Sequence, residues 1–305
     1  MTIDKQNGNV RYNDEEHLYW DDDGKYISVT TLIGKYANAF DKDFWSAYKA
    51  LERIMTSEQF RMEKSKLLQT RVVDIDNILN IYDLKLLDFN KAQQDILDEW
   101  QRQNEESCKR GTAIHAQLEN MYVKKSNTDL KKYGLGGTFL VNTNKSLEMN
   151  NQTLLEIDKG VFPEYLVSRK SEDGKFKLAG QIDLLIKDGN NIWVRDYKTN
   201  RKIDQKSYFD PVTKKNQMML APLSNIMDSN YWHYALQLST YAWMLQKINP
   251  EFKIQGLTLE HHDHFDNIVE YEVPYLKSDV ERMCKDYKLK LILKERADRR
   301  KPIEF

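Results

Sequence analysis

Asp183, Asp196 and Lys198 are the residues whose types and spacing most directly suggest chemistry. Asp183 lies in the run Gly180-Gln-Ile-Asp-Leu-Leu-Ile-Lys187 and Asp196 in Ile192-Trp-Val-Arg-Asp-Tyr-Lys198, with Asp188-Gly-Asn-Asn191 between them. Gly and Asn tolerate the positive φ that short hairpin loops demand, so the pattern predicts a β-hairpin. If Gly189-Asn190 is its two-residue loop, Asp188 faces Asn191 and, further out, Asp183 faces Asp196. Facing residues have Cβ atoms about 4.5–5.5 Å apart, and two carboxylates that close repel unless a cation lies between them. The strand period of two puts Lys198 on the face of Asp196. Oxygen ligands of this kind suit Mg²⁺ or Mn²⁺. Such an ion can hold a phosphoryl oxygen and acidify a bound water, while an ammonium beside it offsets charge that develops in the transition state. A lone Asp on a strand is usually an ordinary surface carboxylate. Asp196, however, stands in a mostly apolar strand, where an acid needs a partner.

The surrounding elements must hold these groups in place. Tyr26 to Ile33 is rich in β-branched residues and reads as a strand running into a helix cap. From Asp41, a helix N-cap by type, to about Lys124 the apolar spacing is helical, and no proline occurs before Pro163. Residues 125–155 are polar with Gly134, Gly136 and Gly137, and read as a loop or irregular insertion. Strands follow at 161–169, 176–187 and 192–198, then a second irregular excursion at 200–228. A helix over 231–248 stops at Asn249-Pro250; strands near 254–262 and 267–273 and a basic helix from Ser278 to Arg296 complete the chain. The expected arrangement is one α/β domain over 1–305: a helical embellishment at 34–106, a core at 107–273 and a C-terminal helix at 274–305.

Bulk composition narrows the function classes. The 305 residues carry 46 Lys plus Arg against 47 Asp plus Glu, so a histone-like, purely electrostatic nucleic-acid binder is disfavoured, whereas an enzyme with a local basic groove is not. Cys108 and Cys284 are far apart and fit a reducing compartment better than a disulfide framework. No apolar run approaches the roughly 18 residues of a membrane span, and the polar start shows no secretory pattern; a cytoplasmic protein is expected. There is no phosphate-binding Gly-x-x-x-x-Gly-Lys-Ser/Thr run. His261-His-Asp-His264 is a poor metal cluster, because adjacent strand residues point to opposite faces and no Cys pairs accompany it.

Further residues fall at helical or strand spacing with the central trio. In Arg110-Gly-Thr-Ala-Ile-His-Ala-Gln-Leu-Glu119, His115 and Glu119 share one helical face, although a lone helical His is more often structural than a ligand. Gln237 and Tyr241 share a face of the later helix. Glu164 is a single acid in the apolar strand before the hairpin, and a surface Glu on an edge strand is its plain alternative.

Gly180-Gln-Ile-Asp183 followed by Asp196-Tyr-Lys-Thr199 resembles the core of the PD-(D/E)XK nucleases, in their RecB-like exonuclease branch. Gly111-x-x-x-His115 upstream and Gln237-x-x-x-Tyr241 downstream match the same pattern, and the resemblance covers about 107–273. It implies a restriction-endonuclease-like core, a mixed central β-sheet flanked by helices, with a helical N-terminal part and insertions. It also implies Mg²⁺- or Mn²⁺-dependent cleavage of DNA. By that resemblance Asp183, Asp196, His115 and the main-chain carbonyl of Tyr197 are metal ligands, Lys198 is the catalytic lysine, and Gln237 contacts the site or the DNA. Glu119, Glu164 and Tyr241 would support them. Ser28-Val-Thr-Thr31 resembles a segment of mitochondrial genome maintenance exonucleases near the nucleic-acid path, which makes Ser28 and Thr30 candidate contacts; as plain sequence it reads equally as a strand-to-helix junction. Arg110 and the basic stretch Lys288 to Lys301 could meet phosphates.

The expected function is therefore a DNA nuclease, an exonuclease on single strands or DNA ends in replication, recombination or repair, with proteins of those pathways as partners. Two alternatives stand beside it. One is a structure-specific or restriction-type endonuclease of the same fold, the other a DNA-binding protein without catalysis.

Overall fold

The computed structural model describes residues 5–123, 125–142, 151–265 and 267–299. It forms two compact units, a sheet unit of Met1–Ala37, Ala113–Ser207 and Met218–Phe305, and a helical unit of Asn38–Thr112 and Tyr208–Gln217. The end of the basic C-terminal stretch, including Lys301, lies outside the described residues.

In chain order, strands β1 (Lys5–Asn7), β2 (Val10–Asn13), β3 (Leu18–Asp21) and β4 (Gly24–Ser28) form an antiparallel meander that leads into helix α1 (Val29–Gly34). Four helices follow: α2 (Lys42–Ile54), α3 (Ser57–Thr70), α4 (Ile75–Ile81) and the long α5 (Leu86–Val123). Each of the first three starts where a side chain satisfies an orphan N–H. Asp41 accepts from Phe44, Thr56 and Gln59 form a reciprocal capping box, and Asp74 accepts from Asn77. Phe44, Tyr48, Leu51, Phe60, Leu67, Ile78, Phe89 and Ile96 make the core of the helical unit.

Next come β5 (Asn127–Leu130), β6 (Leu135–Val141), α6 (Asn151–Glu156), β7 (Lys159–Lys170), β8 (Lys177–Asp188) and β9 (Asn191–Lys198). The expectation of an irregular 125–155 is corrected where residues are described: two strands and a short helix lie there, while 143–150 lie outside the described residues. The strand signal is weak for a physical reason. β5 and β6 sit at an outer border of the sheet with most side chains partly or fully exposed, so no apolar alternation marks them. The excursion at 200–228 is irregular apart from the short pair β10 (Phe209–Asp210) and β11 (Lys215–Asn216) and a bridge between Met218 and Met227. Tyr208 packs edge-on to Trp45 within the helical unit, and Met219 and Leu223 enter the core of the sheet unit. The chain continues through α7 (Asn230–Ile248), β12 (Lys253–His262), β13 (Ile268–Glu272) and α8 (Lys277–Asp298).

Among the described residues eleven strands join one mixed sheet. β6 runs parallel to β7, β7 antiparallel to β8, β8 antiparallel to β9, β9 parallel to β12, and β12 antiparallel to β13. This is the mixed, helix-flanked sheet the sequence implies. α7 is buried along most of its length, as its apolar residues on all sides require, and packs with α1 and α8 around the central strands.

The sheet splits at one place. On one edge of β8, β4 pairs with Leu178 and Ala179, and β9 pairs with residues 184–188. Residues 180–183 fall between these two ladders. The site is built around that opening.

Candidate active site

The hairpin register matches the sequence expectation through its inner rows: Asp188 pairs with Asn191 and Leu184 with Arg195, around a turn in which Gly189 takes φ +57°. The ladder then stops one row before Asp183 and Asp196. Asp183 turns its carboxylate to the backbone instead, and its Oδ2 accepts the N–H of Tyr197 at 2.6 Å. The β7–β8 ladder skips the same row. Pro163 pairs with Leu184 and Tyr165 with Ile182, while Glu164, with φ +53°, stands out of the ladder opposite Asp183. Glu164, Asp183 and Asp196 thus occupy one row across three adjacent strands, and that row lacks both ladders. A non-glycine residue at positive φ is strained by about 1–3 kcal/mol, so the kink at Glu164 marks a constrained position. β7 is an interior strand and Glu164 is buried, which removes the reading of a surface Glu on an edge strand.

His115 reaches the row from α5. Its Nε2 lies 3.1 Å from the Tyr197 carbonyl, and its Nδ1 lies 3.7 Å from Asp183 Oδ2. A carbonyl oxygen only accepts, so Nε2–H donates to it. Nδ1 is then left facing a carboxylate, an arrangement that needs a proton or a metal cation between the two atoms. Metal-binding histidines commonly direct their other N–H to a backbone carbonyl in this way. Among the described residues, His115, Glu164 and Asp183 bring ligand atoms within 4.8 Å of one another.

Asp196 stands outside that trio, and its carboxylate has two partners of its own. Gln237 Nε2 donates to Oδ1 at 3.0 Å, and the Lys198 ammonium pairs with Oδ2. Gln237 also donates to the Tyr241 hydroxyl at 3.0 Å. Tyr241 lies so close to β8 that a Cβ on Gly180 would meet its Cε1 at 2.6 Å, which explains the glycine in the Gly180-Gln-Ile-Asp183 run. The Lys198 ammonium rests 4.6 Å from the centre of the Tyr234 ring.

Burial, reinforced by the charge of Asp196, holds the Asp183 carboxyl well above the usual range, against the opposing effects of Lys198, the Tyr197 N–H and Lys5. Burial and Asp183 push Glu164 up to about 7, with Glu119 adding in the same direction and Lys5 and His115 opposing. Burial works against the Lys198 charge, but Asp196 and Asp183 more than compensate, and its pKa lies above the usual value. Burial and a neighbouring acid both disfavour the ionised carboxylates, and a cation among them would favour them. Two carboxylates and an imidazole nitrogen fit a divalent cation by donor type, so the residues present are suited to the metal that the sequence resemblance implies.

The structure thus brings together Asp183, Asp196, Lys198, Gln237, His115, the Tyr197 carbonyl, Glu164 and Tyr241, with Glu119 near enough to act on Glu164. Ser28 and Thr30 stand where β4 runs into α1, and Ser28 pairs with Ala179 at the border of the opening. Ser28 Oγ caps α1 by accepting the Thr31 N–H at 3.0 Å, and Thr30 is exposed on the first turn. Arg110 belongs to the part of α5 in the helical unit. His261 and His262 spend their Nε2 atoms on the Asn200 carbonyl and on Glu260. Sequence reasoning missed Lys5, whose Nζ lies 3.2 Å from Glu164 Oε2, and Tyr234. Nothing in the polar run around Lys5 marks it; Tyr234 could have been found as the helical neighbour of Gln237 one turn earlier.

Two solved structures are similar in part. The protein SSO0001 matches with 21% identity over 48% of this chain and 53% of its own, at a TM-score of 0.26, so the chain spans about half of that protein. A candidate exonuclease of Eubacterium rectale matches with 12% identity over 88% of this chain and 82% of its own, at a TM-score of 0.33. No curated protein matches the chain. No helix among the described residues is long and apolar enough to cross a membrane. The sequence profile of one family matches residues 82–304, from before His115 to beyond the last strand, and on that match the chain belongs to the PD-(D/E)XK nuclease superfamily.

Proposed function

We infer that the chain is a Mg²⁺- or Mn²⁺-dependent deoxyribonuclease that acts as an exonuclease on single-stranded DNA or DNA ends. The observation that carries the metal dependence is the convergence of the His115 Nδ1, Asp183 and Glu164 donors at a break in the sheet, one strand from the Lys198–Asp196 pair. His115, Glu164, Asp183 and Asp196 would hold the cation, with the Tyr197 carbonyl fixing the imidazole by accepting its Nε2–H. When bound, it would supply a Lewis acid for a phosphoryl oxygen and lower the pKa of a water.

The residues of the chain carry the rest. Lys198, on the same strand face as Asp196, presents an ammonium to the negative charge that grows on a phosphodiester under attack. Gln237 fixes the Asp196 carboxylate, and Tyr241 fixes Gln237, so the lysine has a defined partner. The Tyr197 N–H orients Asp183. The exonuclease reading, the preference for single strands or ends, and work in replication, recombination or repair rest on the RecB-like resemblance of Gly180-Gln-Ile-Asp183, Asp196-Tyr-Lys198 and Gln237-x-x-x-Tyr241.

The test is incubation with end-labelled single- and double-stranded DNA, linear and circular, with Mg²⁺, Mn²⁺, Ca²⁺ or EDTA. Release of short products from linear DNA with Mg²⁺ or Mn²⁺, none with EDTA, and intact closed circles is the expected result. Cleaved circles would replace the exonuclease with an endonuclease, and DNA bound but uncut under every condition would leave a binding protein.

A further inference from the structure

Strand β1 is fastened to β7 by side chains rather than by a ladder. Asn7, itself buried, donates from Nδ2 to the Leu166 carbonyl at 2.6 Å and to Asn151 Oδ1 at 3.3 Å. Two residues earlier, and so on the same strand face, Lys5 reaches Glu164 Oε2 at 3.2 Å. Lys5 precedes Asn7 by the same step that separates Glu164 from Leu166, so the two contacts form a parallel alignment of β1 along β7. The Lys5 side chain is 16% exposed and that of Glu164 is 9% exposed. A lysine this sheltered, delivered by a buried amide clamp onto the carboxylate at the end of the acid row, is a built contact rather than a chance surface pair.

We propose that Lys5 is a positioning residue of the active site: its ammonium balances Glu164 and Asp183 while the site lacks metal, and a divalent cation displaces it from Glu164. This rests on the metal-dependent reading above. The physical basis is competition. One carboxylate oxygen cannot serve an ammonium and a metal ion equally, and a fixed positive charge beside the site opposes the arrival of two more. Once displaced, the ammonium remains at the edge of the acid row, because the Asn7 clamp holds β1 on β7.

The experiment is Mn²⁺ binding by calorimetry and by electron paramagnetic resonance on the full chain, for the wild type and for Lys5→Met, Lys5→Arg and Asn7→Ala, with melting curves in EDTA and in saturating Mn²⁺. Lys5→Met is expected to bind Mn²⁺ about three- to tenfold more tightly than the wild type, and Lys5→Arg to restore wild-type affinity. Asn7→Ala, which loosens the clamp, should shift affinity in the same direction by less. In EDTA, Lys5→Met should melt below the wild type, and the gap should close in Mn²⁺. Equal or weaker Mn²⁺ affinity in Lys5→Met, or a melting gap of the same size with and without Mn²⁺, would leave Lys5 as a structural ion pair and overturn the proposal. If Lys5→Met does not fold, Asn7→Ala against the wild type decides by the same criteria. A wild type that binds no Mn²⁺ defeats the metal-dependent reading itself, which separates the two failures.

Discussion

The Asp183 carboxylate accepts the main-chain N–H of Tyr197 at 2.6 Å, at the row where the β8–β9 ladder has ended. A side chain thus takes the place of a strand partner, and the acid is fixed before any ligand arrives. Asp183→Asn keeps an oxygen that can accept the same bond and loses only the charge. Burial and the neighbouring Asp196 disfavour that charge, so the variant should melt at or above the wild-type temperature in EDTA. Cleavage of end-labelled DNA should fall by at least about 100-fold. A variant that melts well below the wild type would mean that the charge itself stabilises the fold.

Gly180 makes a second prediction, because its lack of a side chain is what lets Tyr241 approach β8. A Cβ there would stand 2.6 Å from Tyr241 Cε1 and 3.1 Å from Val29 Cγ2. Gly180→Ala should destabilise by about 1–3 kcal/mol through overpacking. It should also push Tyr241 away from Gln237, which holds Asp196. Chemical denaturation and cleavage should therefore worsen together, and replacing Tyr241 by the smaller Leu in the same chain should recover stability but not activity. Unchanged stability in Gly180→Ala would contradict the packing argument.

These two cases show why part of the site was legible in the sequence. Hairpin register follows from a two-residue turn and a period of two, so Asp183, Asp196 and Lys198 could be placed from residue types alone, and one helical turn relates Gln237 to Tyr241. The same rules do not extend to Glu164. Its importance comes from a backbone kink at φ +53° that no residue type announces. Lys5 is harder still, since its contact joins segments 159 residues apart. β5 and β6 escaped because partly exposed border strands lose the apolar alternation that identifies buried ones. Local periodicity encodes elements and their register, whereas contacts between distant elements depend on which side chains happen to meet.

The raised pKa of Glu164 gives a signed dependence of stability on pH. Its usual value of 4.5 applies to the unfolded chain, and the folded value is about 7. Between these, the folded state holds a proton that the unfolded state has released, so this group makes stability fall as pH rises through the window. In EDTA, the wild type should gain more melting temperature than Glu164→Gln when the pH is lowered from about 7.5 to about 5. Saturating Mg²⁺ or Mn²⁺ should reverse the trend, because the cation binds the deprotonated site. Parallel pH profiles for the two proteins in EDTA would show that Glu164 titrates normally.

Lys198 permits the strictest separation of structure from chemistry. Its ammonium is the counter-ion of Asp196, with side chains 16% and 2% exposed. Removing one member of so sheltered a pair strands the other charge, at a cost of roughly 3–5 kcal/mol. Lys198→Met keeps the packing against Tyr234 but loses the charge, so it should be destabilised and should lose cleavage by about 100-fold or more. Adding Asp196→Asn removes the stranded charge and should return much of the stability. Because Asp196 would itself hold the cation, the double variant reports on stability alone and should stay inactive. If the ammonium acts on the phosphodiester, Lys198→Met still binds DNA in a fluorescence anisotropy titration with Ca²⁺ while it fails to cleave. Turnover near the wild-type rate in Lys198→Met would remove the lysine from the chemistry altogether, and with it the role inferred from its place beside Asp196.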